Sequence, residues 1–337
     1  MPRIKRNITI EEIISEFITY CDYKNLAIKT IKSYSQTLLL FAKYLEEEKQ
    51  ITDIKKIKKE NVEEYLTFTK ERGKYSFTSS IDTLNKNYMD KRSDLGKEVS
   101  DTTLNNYLRN IKVFFNWLEE NQIIKNNTVK KCCYIKNTRT SKDQLTDSEY
   151  IRLIKSMDCT KFHEFRDYTI TNLLFDTGMR LSETLSLTIN DIDFDRKTIY
   201  LKANETKGKK DRVVFYSNEM ARLLRRWLRN KDVIYDTELL FPTSGTVGKV
   251  SPSNFERNFR VYLQRSKIDK KVTPHSLRNN FARRFLIASK DIHTLSKILG
   301  HSSVTVTEKA YLDLMDEDLR NGYNNYSPLE NLKRGGR

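Results

Sequence analysis

Apolar residues in this 337-residue chain recur at helical spacing nearly everywhere, and only the stretch 192–215 alternates instead. That pattern restricts the chain to a mainly α fold with a small β-hairpin or sheet. Ile10, Ile13, Ile14, Phe17 and Ile18 form the first stripe. Thr9 and Glu12 stand at capping-box spacing ahead of it, so a helix is expected over 9–21. Ile31, Tyr34, Leu38, Phe41 and Leu45 share a face over 27–49, and further helices are expected over 60–72 and 101–121. Residues 73–100 are polar, contain Gly73 and Gly96, and read as a long loop, with room for a helical turn. The first part, 1–135, is therefore expected to be an all-helical domain.

Residues 136–146, KNTRTSKDQLT, are polar and basic with no apolar period, and are the expected linker. The length of the chain suits two domains rather than one core. The second, over 147–325, opens where Thr146, Asp147 and Ser148 each offer an N-cap, and a tail follows over 326–337. Its helices are expected near 147–157, 163–176, 180–189, 217–230, 252–266, 274–289, 291–299 and 303–314. Inside the alternating stretch, 197–202 reads as a strand, 204–210 as a turn around Gly208, and 211–215 as the return strand.

Net charge is +16, and its placement says more than its size. Residues 201–300 hold 22 Lys and Arg against 9 Asp and Glu, so most of the excess sits in one segment. A field of that density favours a polyanion such as nucleic acid over a neutral small molecule. No apolar run approaches the roughly 20 residues that span a bilayer. The opening MPRIKRNITI runs directly into a charged helical pattern, so no secretory signal is expected and the chain is placed in the cytoplasm. Cys21, Cys132, Cys133 and Cys159 form no CxxC pair and lie near no histidine pair. They read as reduced thiols rather than a disulfide framework or a metal site.

Five stretches carry the chemistry. In Thr177-Gly178-Met179-Arg180-Leu181-Ser182-Glu183, Gly178 permits a tight turn, and Arg180 would open a helix with Glu183 three residues on to hold its guanidinium. Taken alone, this is equally a surface ion pair. In Thr273-Pro274-His275-Ser276-Leu277-Arg278, a capped helix with Pro at its first position would present His275 and Arg278 one turn apart, where helix-terminal amides favour an anion. In Leu299-Gly300-His301-Ser302-Ser303, Gly300 would end one helix and Ser302 or Ser303 cap the next, fixing His301 at the junction and leading to Tyr311. The basic turn Thr206-Lys207-Gly208-Lys209-Lys210-Asp211-Arg212 offers a lysine able to donate a proton to a leaving oxygen; charge does not choose among Lys207, Lys209 and Lys210. The helical first part, rich in Lys, Tyr and Asn, suits backbone and groove contacts only.

In that order Arg180, Lys207, His275, Arg278, His301 and Tyr311 resemble the catalytic set of the tyrosine site-specific recombinases, the phage integrase family. The resemblance runs through TGMRLSE, HSLR, LGHSS and the terminal tyrosine helix, and covers nearly the whole chain. It implies a helical, SAM-like core-binding domain and an α+β catalytic domain that close as a clamp around double-stranded DNA. It chooses Lys207 among the lysines, because that residue precedes a glycine. It further implies Tyr311 as nucleophile of a 3′-phosphotyrosine intermediate, two strand exchanges within a homo-tetramer, a tail docked on a neighbouring subunit, and neither a metal nor a nucleotide cofactor. The interval from His301 to Tyr311 is ten residues where many relatives have nine, so Tyr323 and Tyr326 remain as alternatives. The 73–100 loop is longer than in compact relatives, and no arm-binding domain is expected before Thr9. A type IB topoisomerase would share this chemistry without exchanging partners. A non-catalytic DNA-binding regulator would be expected to lack Arg180, Arg278 or Tyr311, and all three are present.

Overall fold

Thr9 caps the first helix reciprocally: its hydroxyl accepts from the Glu12 N–H at 3.2 Å, while the Glu12 carboxylate accepts from the Thr9 N–H at 2.8 Å. This computed structural model describes residues 8–78, 93–136, 143–202, 211–245, 247–301 and 303–311, with 309–311 described by backbone only. The chain divides into two units, Met1–Arg139 and Thr140–Arg337. In the first, α1 (Ile10–Tyr23), α2 (Ile28–Lys49), α3 (Lys59–Arg72) and α4 (Asp101–Glu120) pack with α1 on α2, and with α2 and α3 on α4. The apolar stripes meet in a core containing Phe17, Leu38, Leu45, Tyr65, Phe114 and Leu118. Phe17 and Phe114 meet edge to face, with centroids 5.2 Å apart. Short 3₁₀ turns at Ile54–Lys56 and Thr128–Lys131 were not apparent from periodicity.

The second unit begins on the side of the expected linker that can be followed. Leu145 is buried, Asp143 accepts from the Lys271 N–H at 2.9 Å, and the Gln144 carbonyl accepts from Lys270 at 3.0 Å. Residues 143–146 are thus docked on this unit, whereas 137–142 lie outside the described residues. Thr146 and Glu149 form the capping box of α5 (Asp147–Lys155). Helix α6 (Phe162–Thr177) is buried on almost every face, between α8 (Asn218–Ile234), α9 (Pro252–Arg265) and α10 (Pro274–Ser289). Its buried Asp167 is satisfied by Arg166, Asn258 and Tyr262 at 2.9 Å to 3.1 Å, which is what a carboxylate at that depth requires.

One sequence expectation is corrected here. The helix expected over 180–189 is only α7 (Leu181–Ser186). Leu187 and Ile189 instead bond across to Leu240 and Glu238, each at 2.9 Å, so tertiary pairing ends the helix. The expected small β-element is a sheet: β1 (Ile192–Asp193), β2 (Thr198–Leu201) and β3 (Arg212–Phe215) form three antiparallel strands. Ile199 opposes Ile192 on one side and Val214 on the other, and Leu201 opposes Arg212. The turn over 204–210 lies outside the described residues. Helices α11 (Ile292–Leu299) and α12 (Val304–Tyr311) follow α10 and pack on it. Residues 312–337, which include the end of the helix expected over 303–314 and the expected tail, lie outside the described residues. Among the described residues no helix is long and apolar enough to cross a membrane. Cys21 and Cys132 are buried free thiols, Cys159 is half-buried and Cys133 exposed.

Candidate active site

Helix α6 ends at Gly178, whose φ of +66° is a left-handed C-cap. The chain then turns so that Arg180 becomes the N-cap of α7. Glu183, one turn into α7, reaches back: its carboxylate accepts from the Arg180 N–H at 2.9 Å and from Arg180 Nη1 at 2.7 Å. This is not the surface pair that the motif alone allowed. The Glu183 side chain is 1% exposed and that of Arg180 22%. Burial by itself would raise the Glu183 pKa, but bonds and charge from Arg212, and then from Arg180, outweigh it and hold the carboxyl below its usual range.

Helix α10 opens as its sequence suggests, with Pro274 in the first turn. The cap bond runs in one direction, from the Thr273 N–H to Ser276 Oγ at 3.1 Å. His275, in that first turn, is exposed, whereas Arg278 is 2% exposed. Arg278 donates through Nη1 to the Gly178 carbonyl and through Nη2 to the Leu299 carbonyl, both at 2.7 Å. One guanidinium thereby ties the turn before Arg180 to the end of α11. Gly300, at φ +64°, ends α11 and presents His301 to the same group.

The His301 ring lies between Arg278 and α12. Its Nε2 is 3.1 Å from Arg278 Nη2, and its Nδ1 is 2.7 Å from Oγ1 of the buried Thr307. A guanidinium only donates, so Nε2 accepts and the ring proton sits on Nδ1, donated to Thr307. Burial first, and then the positive charges of Arg278, Arg180, Arg212 and His275, push the His301 pKa from 6.5 down to about 4. Tyr311 is the last residue of α12, one turn beyond Thr307. Lys207, Lys209 and Lys210 lie outside the described residues, as do Tyr323 and Tyr326.

The structure therefore bonds Arg180 to Glu183 and Arg278 to His301, with Arg180 and His275 near enough for their charge to act on His301. It also adds two residues that the sequence reading gave no role. Arg212 forks Glu183 at 3.0 Å and 2.6 Å, and Thr307 fixes the His301 tautomer. The basic run containing Arg212 was visible in the sequence; its pairing with a residue 29 positions earlier was not. Among the described residues no group of three or more His, Cys, Asp or Glu is placed to hold a metal ion. Arg180 and Arg278, two cations with donors in planar forks, suit an oxyanion carrying several acceptor oxygens.

Comparisons with known proteins bear on that chemistry. A model of the phage integrase family matches residues 143–318, and one of the phage integrase N-terminal SAM-like domain matches 14–85. A tyrosine recombinase of Thermosipho africanus is 25% identical over 310 residues, covering 92% of this chain and 97% of that protein. Tyrosine recombinase XerC of Corynebacterium glutamicum is 30% identical over 243 residues, covering 70% and 74%. In fold, the chain is similar to the Tn1549 transposon integrase in complex with a circular intermediate DNA, with a TM-score of 0.70 at 18% identity over 94% of this chain and 99% of that one. It is similar also to a lambda integrase dimer bound to a core site, with a TM-score of 0.65 at 15% identity over 88% and 97%.

Proposed function

The chain belongs to the phage integrase family and is a tyrosine recombinase, an enzyme of site-specific DNA recombination; from that premise we propose that it cuts and rejoins DNA through a covalent 3′-phosphotyrosine at Tyr311. The observation that carries this reading is the buried group in which Arg180 and Arg278 are held from behind by Glu183 and by the carbonyls of Gly178 and Leu299.

Arg180 and Arg278 take the two non-bridging oxygens of the scissile phosphate and stabilise the charge that builds as phosphorus becomes five-coordinate. The Tyr311 oxygen attacks in line, the bond from phosphorus to the 5′ oxygen breaks, and a 5′-hydroxyl departs. His275 orients Tyr311 or accepts its proton, and Lys207 protonates the leaving oxygen. His301 adds a hydrogen bond to the phosphate once a proton stands on Nε2. The incoming anion favours that state by drawing on Arg278 and raising the ring's pKa. One ester replaces another, so resealing by the reverse path needs no nucleotide hydrolysis.

The finer assignments belong to the same proposal. Domains over 1–135 and 147–325, joined across 136–146, close on duplex DNA as a clamp. Four copies assemble on two sites, with the tail over 326–337 docked on a neighbour. The chain works in the cytoplasm on integration, excision or resolution of a mobile element or replicon. Support comes from the two compact units and from the DNA-bound state of the fold neighbours.

The test begins by mapping protein-bound DNA ends in the source genome, then incubating the protein with two distinguishable duplexes carrying the mapped site. Exchanged duplexes are expected. Relaxation of supercoiled DNA without exchange would favour the topoisomerase reading, and binding with no covalent adduct would leave a regulator.

A further inference from the structure

Arg212 opens β3, and its side chain is 9% exposed. Nη1 donates to one Glu183 oxygen at 3.0 Å and Nη2 to the other at 2.6 Å, a bidentate fork. Nε donates to the Ile298 carbonyl at 3.2 Å, in the last turn of α11. The Arg212 stem lies against Gly300, where an added Cβ would stand 2.8 Å from Cδ. Glu183 therefore receives four bonds, two on each oxygen: Arg180 Nη1 and Arg212 Nη1 on one, the Arg180 N–H and Arg212 Nη2 on the other. A carboxylate has about four acceptor positions, so this one is full.

That saturation has two consequences. A buried carboxylate facing Arg180 alone would be free to rotate and take that guanidinium in a fork of its own, turning it away from the substrate side. With Arg212 occupying one position on each oxygen, Arg180 is left a single side-chain bond at Nη1. The charge count changes as well: Glu183 offsets one of two guanidinium groups, so the pair retains a net positive charge next to the phosphate position.

We propose that Arg212 is a positioning residue for the strand-cleavage reaction, acting through Glu183 to set the orientation and field of Arg180. This rests on the reading of Arg180 as a phosphate-binding group. The Arg212 guanidinium is engaged by Glu183 and the Ile298 carbonyl, so it is braced on α11 and delivers its effect across one carboxylate. The segment carrying the proposed general acid, over 204–210, leads directly into this same residue.

The experiment measures single-turnover formation of the covalent adduct on a nicked target site, using the full-length chain. Arg212→Met should bind the site with a Kd within about twofold of the wild type, because all three Arg212 guanidinium nitrogens are already engaged by Glu183 and the Ile298 carbonyl. Its cleavage should slow about 100-fold, the loss expected of a group misplaced by about an ångström. Arg212→Lys, which keeps the cation but not the fork, should fall between, about tenfold slow. Arg180→Ala should lose about 100-fold to 1000-fold. The double variant Arg180→Ala/Arg212→Met should be within about threefold of Arg180→Ala, since Arg212 then has nothing left to position.

Losses that multiply in the double variant would make Arg212 merely structural and overturn the proposal, as would a wild-type rate in Arg212→Met. A wild-type rate in Arg180→Ala would instead remove the reading of Arg180 itself. If melting shows Arg212→Met to be unfolded, the same cycle is run with Arg212→Lys, with the same criterion of non-multiplying losses.

Discussion

Replacing Gly178 by Ala tests whether the turn between α6 and α7 is built as described. Gly178 sits at φ +66°, where a side chain costs about 1–2 kcal/mol. An added Cβ would also lie 2.3 Å from Cδ1 of the Phe281 ring, well inside contact distance. Phe281 is only half-buried and packs on the small cluster of Ala282, Leu295 and Leu299, so it yields in part. Overpacking of this kind adds about 1–3 kcal/mol, and the sum is about 2–5 kcal/mol. The two effects are separable. In a Phe281→Leu background the clash is relieved and the backbone strain remains, so Gly178→Ala should then cost about 1–2 kcal/mol. Urea unfolding followed by fluorescence measures this directly. The chain has two tryptophans, and a Trp117→Phe background leaves Trp227, which is buried in the core of the second unit, as the reporter. Because the Gly178 carbonyl holds Arg278 Nη1 at 2.7 Å, Gly178→Ala should also slow covalent adduct formation at least tenfold. A cost under about 0.5 kcal/mol, or the same cost in both backgrounds, would refute the packing argument.

Other perturbations probe other parts of the account. Lys207→Ala should cleave an ordinary strand very slowly and recover much of its rate when sulfur replaces the 5′ bridging oxygen, because a thiolate leaves without a proton. Arg180→Ala should gain far less, and equal rescue in both would pass the role to Lys209 or Lys210. The folded-state pKa of His301, about 4, lies below its ordinary 6.5, so the unfolded chain takes the proton more readily. Stability from this site should be full above about pH 6.5 and decline as pH falls toward 4. His301→Gln should flatten that part of a urea-midpoint profile, and an unchanged profile would contradict the pKa assignment. DNA binding should weaken steeply with salt, with a log–log slope reporting several released counterions. A segment 1–135 that carried all the affinity, with 145–337 carrying none, would refute the clamp.

What was legible in the sequence was local. The capping pair Thr9–Glu12 forms within one helical turn, so its spacing alone announces it, whereas among Thr146, Asp147 and Ser148 it took the structure to choose Thr146. The Arg180–Glu183 contact is local in the same way, and Pro274 marks the start of α10. Arg212 was hidden because its partner Glu183 lies on another element, α7, and the tertiary packing of β3 near that helix rather than spacing decides the meeting. Strand β1, two residues long, is too short for any period to show. Helix α8 runs to Ile234, four residues beyond its expected end, with Lys231 fully buried and its ammonium donating to the Thr237 carbonyl at 2.7 Å. A lysine reads as surface until the carbonyl that receives it is known. Burial was the other quantity beyond reach: spacing offered Glu183 as a partner for Arg180, but only its depth and the arrival of Arg212 make it a support for two arginines.

The central claim is that Tyr311 becomes covalently joined to DNA. A nicked duplex carrying the mapped site, from which the short downstream strand diffuses away, traps the intermediate. Proteolysis and mass spectrometry of the trapped protein then locate the joined residue. The account predicts a 3′-phosphate ester on Tyr311, and its complete loss in Tyr311→Phe with DNA binding nearly intact. An ester on Tyr323 or Tyr326, or a full yield of adduct from Tyr311→Phe, would contradict it.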